Sequence, residues 1–211
     1  MKNPRNNNGI SPKKNAGVLH GKTLLIAAGG TGGHISPGVS VAEAWLAESG
    51  SVLFATLQKN IDYPDIVRLA RNEKAAIVAY DTPRLTKNPL QILNFFKRFF
   101  AAYRLLKRAA RAERVDAVLG MGGYSSFPAV CFALFNRKPL FLCEQNARWG
   151  VVTRLGRFFA RNIFLSFETQ KPLSAKYRVT GNPLRAMFKG LVLSPIKKTR
   201  PQKKPLLFFL G

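Results

Sequence analysis

Short apolar runs recur along the chain at 23–28, 51–57, 75–79, 115–121, 139–143 and 162–166, and Tyr177 to Thr180 then leads into Gly181. Runs of this length, apolar on both faces, predict buried parallel strands. Between them the pattern changes to helical spacing. After Ser36 and Pro37 the apolar positions fall at Val39, Val41, Ala42, Trp45 and Leu46, which predicts a helix with Ser36 as N-cap and Pro37 in its first turn. Further helices are expected over 62–72, 88–114 and 129–135. Alternation of strand and helix predicts an α/β domain with a doubly wound parallel sheet of six or seven strands.

The 88–114 segment stands out. At about 100° per residue, Phe95, Leu106, Phe99, Ile92, Tyr103, Phe96, Phe100 and Leu93 fill an arc of roughly 160°, with Lys97, Arg98, Arg104 and Arg108 opposite. A crossover helix packed on the sheet accounts for an apolar stripe of about 100°. Four phenylalanines within residues 95–100, flanked by cations, exceed that requirement. Phe95, Phe96, Phe99 and Phe100 with Lys97, Arg98 and Arg104 are therefore a candidate contact with an anionic membrane surface.

Glycine pairs follow two of the expected strands. The first strand runs into GGTGGH, residues 29–34, and the fourth into GGYSS, residues 122–126. A strand, a glycine turn and a helix N-terminus together place unpaired N–H groups and the positive end of a helix dipole around one space, which suits an anion. A dinucleotide fingerprint does not fit, because Ile35 occupies the place of the third glycine and the second strand ends in Gln58, Lys59 and Asn60 without a ribose-binding acid. The Gly17 to Thr23 stretch falls one residue short of a P-loop and precedes the strand. The fifth strand ends in another polar group, Glu144, Gln145 and Asn146, where α/β proteins place ligand-binding side chains.

Composition adds charge. The 211 residues carry 34 Lys+Arg against 10 Asp+Glu, a net charge of +24, so phosphate, anionic lipid or nucleic acid would be attracted. Residues 1–21 are polar and basic and are expected to be a disordered tail, 22–189 to form the domain, and 190–204 to be a Pro- and Lys-rich linker. Residues 205–211 read as the first strand of a second domain. Cys131 and Cys143 lie in apolar runs without ligand spacing, so reduced core thiols are expected and no metal site. No apolar run reaches the ~20 residues of a membrane span, leaving only peripheral contact for this sequence.

GGTGGH, GGYSSFPA at 122–129, CEQN at 143–146 followed by Gly150, and GNPLR at 181–185 occur in the order found in the MurG family of glycosyltransferases, which the chain resembles over nearly all of residues 22–211. Departures are Ala55 at a usual glycine, Phe127 where glycine is frequent, and Cys143 at a usual histidine. The resemblance implies the N-terminal, acceptor-side half of a GT-B enzyme built from two facing Rossmann-like domains. It implies an inverting transfer of N-acetylglucosamine from UDP-N-acetylglucosamine to the C4 hydroxyl of undecaprenyl-pyrophosphoryl-muramyl-pentapeptide, at the cytoplasmic face of the plasma membrane, with no cofactor. On this reading Gly29, Gly30, Gly122, Gly123, Tyr124 and Ser125 hold the acceptor diphosphate, and Thr31, Gly32, Gly33, Asn146 and Arg185 reach the donor. The half alone is expected to be inactive. His34 is the histidine beside the site; it either accepts the hydroxyl proton or only hydrogen-bonds a ligand oxygen.

A second class remains open, a non-catalytic basic module binding anionic lipid or nucleic acid. No RNA-binding signature or zinc-finger spacing supports the nucleic-acid version, and no nucleic-acid partner is expected.

Overall fold

The computed structural model describes residues 19–82, 89–168 and 174–183. Seven strands, β1 (Thr23–Ala27), β2 (Ser51–Leu57), β3 (Ala75–Tyr80), β4 (Ala117–Gly120), β5 (Leu140–Glu144), β6 (Asn162–Leu165) and β7 (Tyr177–Val179), form one parallel sheet in the order β3-β2-β1-β4-β5-β6-β7. The order reverses between β1 and β4. At such a point the two adjacent chains leave the sheet toward opposite faces and open a crevice at their carboxyl ends.

Alternation along the strands explains why both faces are covered. Leu25, Ala27, Leu53, Ala55 and Val118 pack with residues of three helices, α3 (Pro89–Ala112), α4 (Phe127–Phe135) and α5 (Val151–Gly156). Leu24, Ile26, Val52, Phe54 and Leu119 face the other way, toward α1 (Gly32–Ala47) and α2 (Pro64–Leu69). Parallel strands buried on both sides need such runs of apolar residues. A close approach seats α1 on β1: a Cβ on Gly38 would come within 2.8 Å of that of Ala28.

Two helices differ from the sequence reading. The first begins at Gly32, with Thr31 as an extended N-cap, and Pro37 lies within it. The Thr31 carbonyl accepts the N–H groups of both His34 and Ile35, so the turn closes before Ser36 is reached. The Ser36 hydroxyl instead donates to Asp65 Oδ2 of α2 at 3.1 Å. Pro37 lacks the N–H that would have gone to the Gly33 carbonyl. The second helix is shorter than 62–72, starting with Pro64 at its first position and ending at Leu69. Beyond it, Asn72 Oδ1 accepts the Lys74 N–H at 2.9 Å and turns the chain into β3. The expected linker at 190–204, the strand at 205–211 and most of the N-terminal tail lie outside the described residues; residues 19–21 form a turn leading into β1.

Candidate active site at the strand ends

Because β1, β4 and β5 are neighbours running the same way, the segments leaving them meet. The GGTGGH turn follows β1, the GGYSS turn follows β4, and Glu144 ends β5 with Gln145 and Asn146 after it. Gly29 is wedged among them: a Cβ there would stand 3.2 Å from both the Leu57 nitrogen and Ser125 Cβ. Gly30 has φ +96°, a left-handed conformation that favours glycine, and its N–H donates to Asn60 Oδ1 at 3.1 Å. Gly32 and Gly33 then open α1, where N–H groups lack intrahelical acceptors and the helix dipole is positive.

His34 joins the three segments. Its Nδ1 lies 2.8 Å from Gln145 Oε1. With the amide oxygen on that side, Nδ1 is the donor and Nε2 retains a lone pair. The ring lies along the backbone of Gly122 and Gly123, whose φ values are +80° and +69°. A Cβ on Gly122 would be 3.4 Å from the ring's Cε1, and one on Gly123 would be 3.5 Å from Cδ2 and Nε2. These glycines satisfy both the backbone conformation and the space taken by the imidazole.

The second turn is anchored from beneath. Tyr80, buried at the end of β3, donates its hydroxyl to the Ser125 carbonyl at 2.8 Å. Burial pushes its phenol pKa well up, so the donor stays protonated. Tyr80→Phe should remove about 1–3 kcal/mol of stability by leaving that carbonyl unpaired, measured as a lower denaturant midpoint. The Ser125 hydroxyl is buried and has no hydrogen-bond partner among the described residues, and a Cβ on Gly123 would lie 3.8 Å from it.

Glu144 organises the third segment. Its buried carboxylate accepts the backbone and side-chain N–H groups of Asn146 on Oε1, both at 3.1 Å, and the Gly150 N–H on Oε2 at 3.1 Å. Asn146 is thereby held at the rim and exposed. Cys143, which precedes it, is buried, and burial is the main cause pushing its thiol up to about 11. It is an unreactive core group.

The structure therefore places His34, Gly29, Gly30, Thr31, Gly32, Gly33, Gly122, Gly123, Tyr124, Ser125 and Asn146 around one end of the sheet. Arg185 lies outside the described residues. Gln145 and Asn60 were not singled out as site residues from sequence. The EQN triplet contained the signal for Gln145, whereas nothing local pointed to Asn60.

The four phenylalanines of α3 divide into two pairs. Phe96 and Phe100 are 48% and 56% exposed and share one surface with the exposed Lys97 and Arg104, whereas Arg98 points to another side of the helix, toward Tyr80 and Asp81. Phe95 and Phe99 turn inward and are half-buried, with Phe99 5.2 Å from Phe127 between ring centres. Core packing from this helix comes largely from Ala102, Leu106 and Ala110, so the buried stripe is narrower than the apolar arc.

This arrangement of a seven-stranded parallel sheet with glycine turns at its carboxyl ends has the form of the N-terminal domain of GT-B glycosyltransferases. The crystal structure of Acinetobacter baumannii MurG matches with a TM-score of 0.60 and 26% identity, over 76% of this chain and 46% of that one. The kitacinnamycin glycosyltransferase matches in fold, with a TM-score of 0.57 at 12% identity, over 84% of this chain and 56% of that chain. The chain belongs to glycosyltransferase family 28, whose N-terminal domain profile matches residues 24–165. It is 33% identical over 199 residues to the UDP-N-acetylglucosamine–N-acetylmuramyl-(pentapeptide) pyrophosphoryl-undecaprenol N-acetylglucosamine transferase of Leptospira interrogans serovar copenhageni, covering 89% of this chain and 49% of that protein. The enzyme of the same name from Verminephrobacter eiseniae is 38% identical over 172 residues, 79% of this chain and 46% of that protein. The chain thus spans about half the length of the curated relatives it matches.

Proposed function

We propose that this chain is the acceptor-binding half of an inverting glycosyltransferase that moves N-acetylglucosamine from UDP-N-acetylglucosamine to the C4 hydroxyl of lipid-linked muramyl-pentapeptide. The observation that carries this reading is the His34 imidazole, held by Gln145 against the paired glycines of the second turn. There a histidine and two N–H-rich turns face the same space. The diphosphate of the acceptor would take N–H groups from the glycine turns and the Ser125 hydroxyl. Nε2 of His34 would accept the C4 hydroxyl proton as that oxygen attacks the anomeric carbon and UDP departs. Thr31, Gly32 and Gly33, at the positive end of α1, with Asn146 and Arg185, would face the donor carried by the other half. By itself the chain would then bind acceptor without transferring sugar, which an assay with both substrates tests; turnover by the isolated chain would refute this division.

Among the described residues no helix is long and apolar enough to cross a membrane, and Phe96, Phe100 and their cations form an exposed amphipathic surface on α3. Our reading is that this surface attaches the chain peripherally to anionic lipid. Phe96→Ser with Phe100→Ser should weaken binding to anionic vesicles about 10²-fold or more, because each buried aromatic contributes roughly 1.5–3 kcal/mol. Unchanged binding in a flotation assay would move the lipid contact to the basic tails.

A further inference from the structure

A pocket of about 330 Å³ opens between α3, α5 and the second glycine turn. Phe95, Phe99 and Phe127 line it on one side and Val151, Val152 and Leu155 on the other, with Gly123 and Tyr124 also in its wall. Its size is at the lower end of the roughly 300–1,000 Å³ typical of small-ligand sites. Among the described residues the wall is almost entirely hydrocarbon or aromatic.

Two features define what such a pocket would hold. Gly123 belongs both to the pocket wall and to the proposed anion cradle, where a Cβ would meet the His34 ring at 3.5 Å. A ligand that fills the pocket therefore reaches the second glycine turn at Gly123 and Tyr124. At the mouth, Val151 and Leu155 are 56% and 55% exposed, with exposed Arg154 between them in sequence. An apolar slot with an anion cradle at one end complements an amphiphile with a charged head and a hydrocarbon chain.

We propose that the pocket receives the first carbons of the hydrocarbon chain of a lipid-linked diphosphate, while its phosphates lie at the glycine turns. This rests on the acceptor-site reading above and deepens it: the lipid is gripped individually inside the domain, and the bilayer touches the separate outer surface of Phe96 and Phe100. Phe95 and Phe99 serve the pocket, and the outward pair serves the membrane.

Calorimetry on the 211-residue chain tests this with inorganic pyrophosphate, geranyl diphosphate and geraniol, each below its aggregation limit. Burial of one methylene is worth about fourfold in affinity, so geranyl diphosphate with the first three or four carbons of its chain buried should bind about 10²-fold more tightly than pyrophosphate, and geraniol far more weakly than geranyl diphosphate. Val151→Ser with Leu155→Ser changes exposed positions and should remove about tenfold of that gain while leaving pyrophosphate binding within twofold. A thermal melt confirms that the variant is folded, and Leu155→Trp, which narrows the mouth, gives an independent second loss. Phe96→Ser with Phe100→Ser should weaken vesicle binding and leave geranyl diphosphate unaffected. If pyrophosphate binds but the geranyl chain adds nothing, the pocket proposal is wrong and the acceptor site stands. The pocket proposal also fails if the gain disappears with Phe96 and Phe100 and survives the Val151 and Leu155 changes. If neither diphosphate binds, the acceptor-site reading itself fails.

Discussion

His34→Ala, introduced into a complete enzyme in which this domain is joined to its donor half, should lower turnover by about 10²–10⁴-fold, the usual contribution of a positioned general base. The expectation rests on geometry. The Gln145 oxygen lies 2.8 Å from Nδ1, which leaves Nε2 as the nitrogen able to take a proton from a hydroxyl bound over the glycine turns. The ring cannot swing freely, since it is packed along Gly122 and Gly123. Loss of the imidazole should therefore lower kcat more than it raises KM. Gln145→Leu should give a smaller loss, because the ring remains but its tautomer and orientation are no longer fixed. A decrease of tenfold or less for His34→Ala, accompanied mainly by a raised KM, would reduce His34 to a binding residue.

The second large effect is on stability. Glu144→Ala should cost about 2–5 kcal/mol, since it strips the acceptor from two backbone N–H groups and one side-chain amide at a buried position. Native domains have only about 5–15 kcal/mol in total, so the variant should show a clearly lower denaturant midpoint and faster proteolysis within the segment between β5 and α5. Glu144→Gln keeps one carbonyl oxygen and should lose less. Equal midpoints for wild type and Glu144→Ala would mean that the loop is held by other contacts, and that Asn146 is not positioned by this carboxylate.

Much of this architecture was legible from residue pattern. Six of the seven strands were readable because a parallel sheet covered on both faces demands short, continuous apolar runs, and residues such as Leu24, Leu25 and Ile26 leave little room for another reading; the edge strand β7, with Arg178 and Val179 exposed, carries no such run. The glycine turns were equally visible, since Gly30, Gly122 and Gly123 occupy backbone conformations that other residues adopt with strain. The helix start was misplaced because a serine followed by proline is a strong local signal, while the competing closure of Gly32, Gly33 and His34 depends on the Thr31 carbonyl and on Ser36 finding Asp65 across to α2. The contact between His34 and Gln145 joins positions 111 residues apart. It follows from the strand order, with β4 between β1 and β5, and no local spacing encodes it. The inward turn of Phe95 and Phe99 has a similar origin: periodicity gives a helix its apolar arc, but the packing of α3 on α4, β2 and β3 decides how much of that arc is covered.

The central claim is that the converging turns form a specific site for a lipid-linked muramyl diphosphate. Its most direct test is a titration of this chain with a short-chain, soluble analogue of undecaprenyl-pyrophosphoryl-muramyl-pentapeptide, run beside heparin and a DNA duplex from low to high salt. A specific site predicts saturable one-to-one binding of the analogue that persists at 0.3 M salt and is weakened by Ser125→Ala. Binding of every polyanion alike, with affinity falling steeply as salt rises, would contradict the account and make the chain a nonspecific basic module.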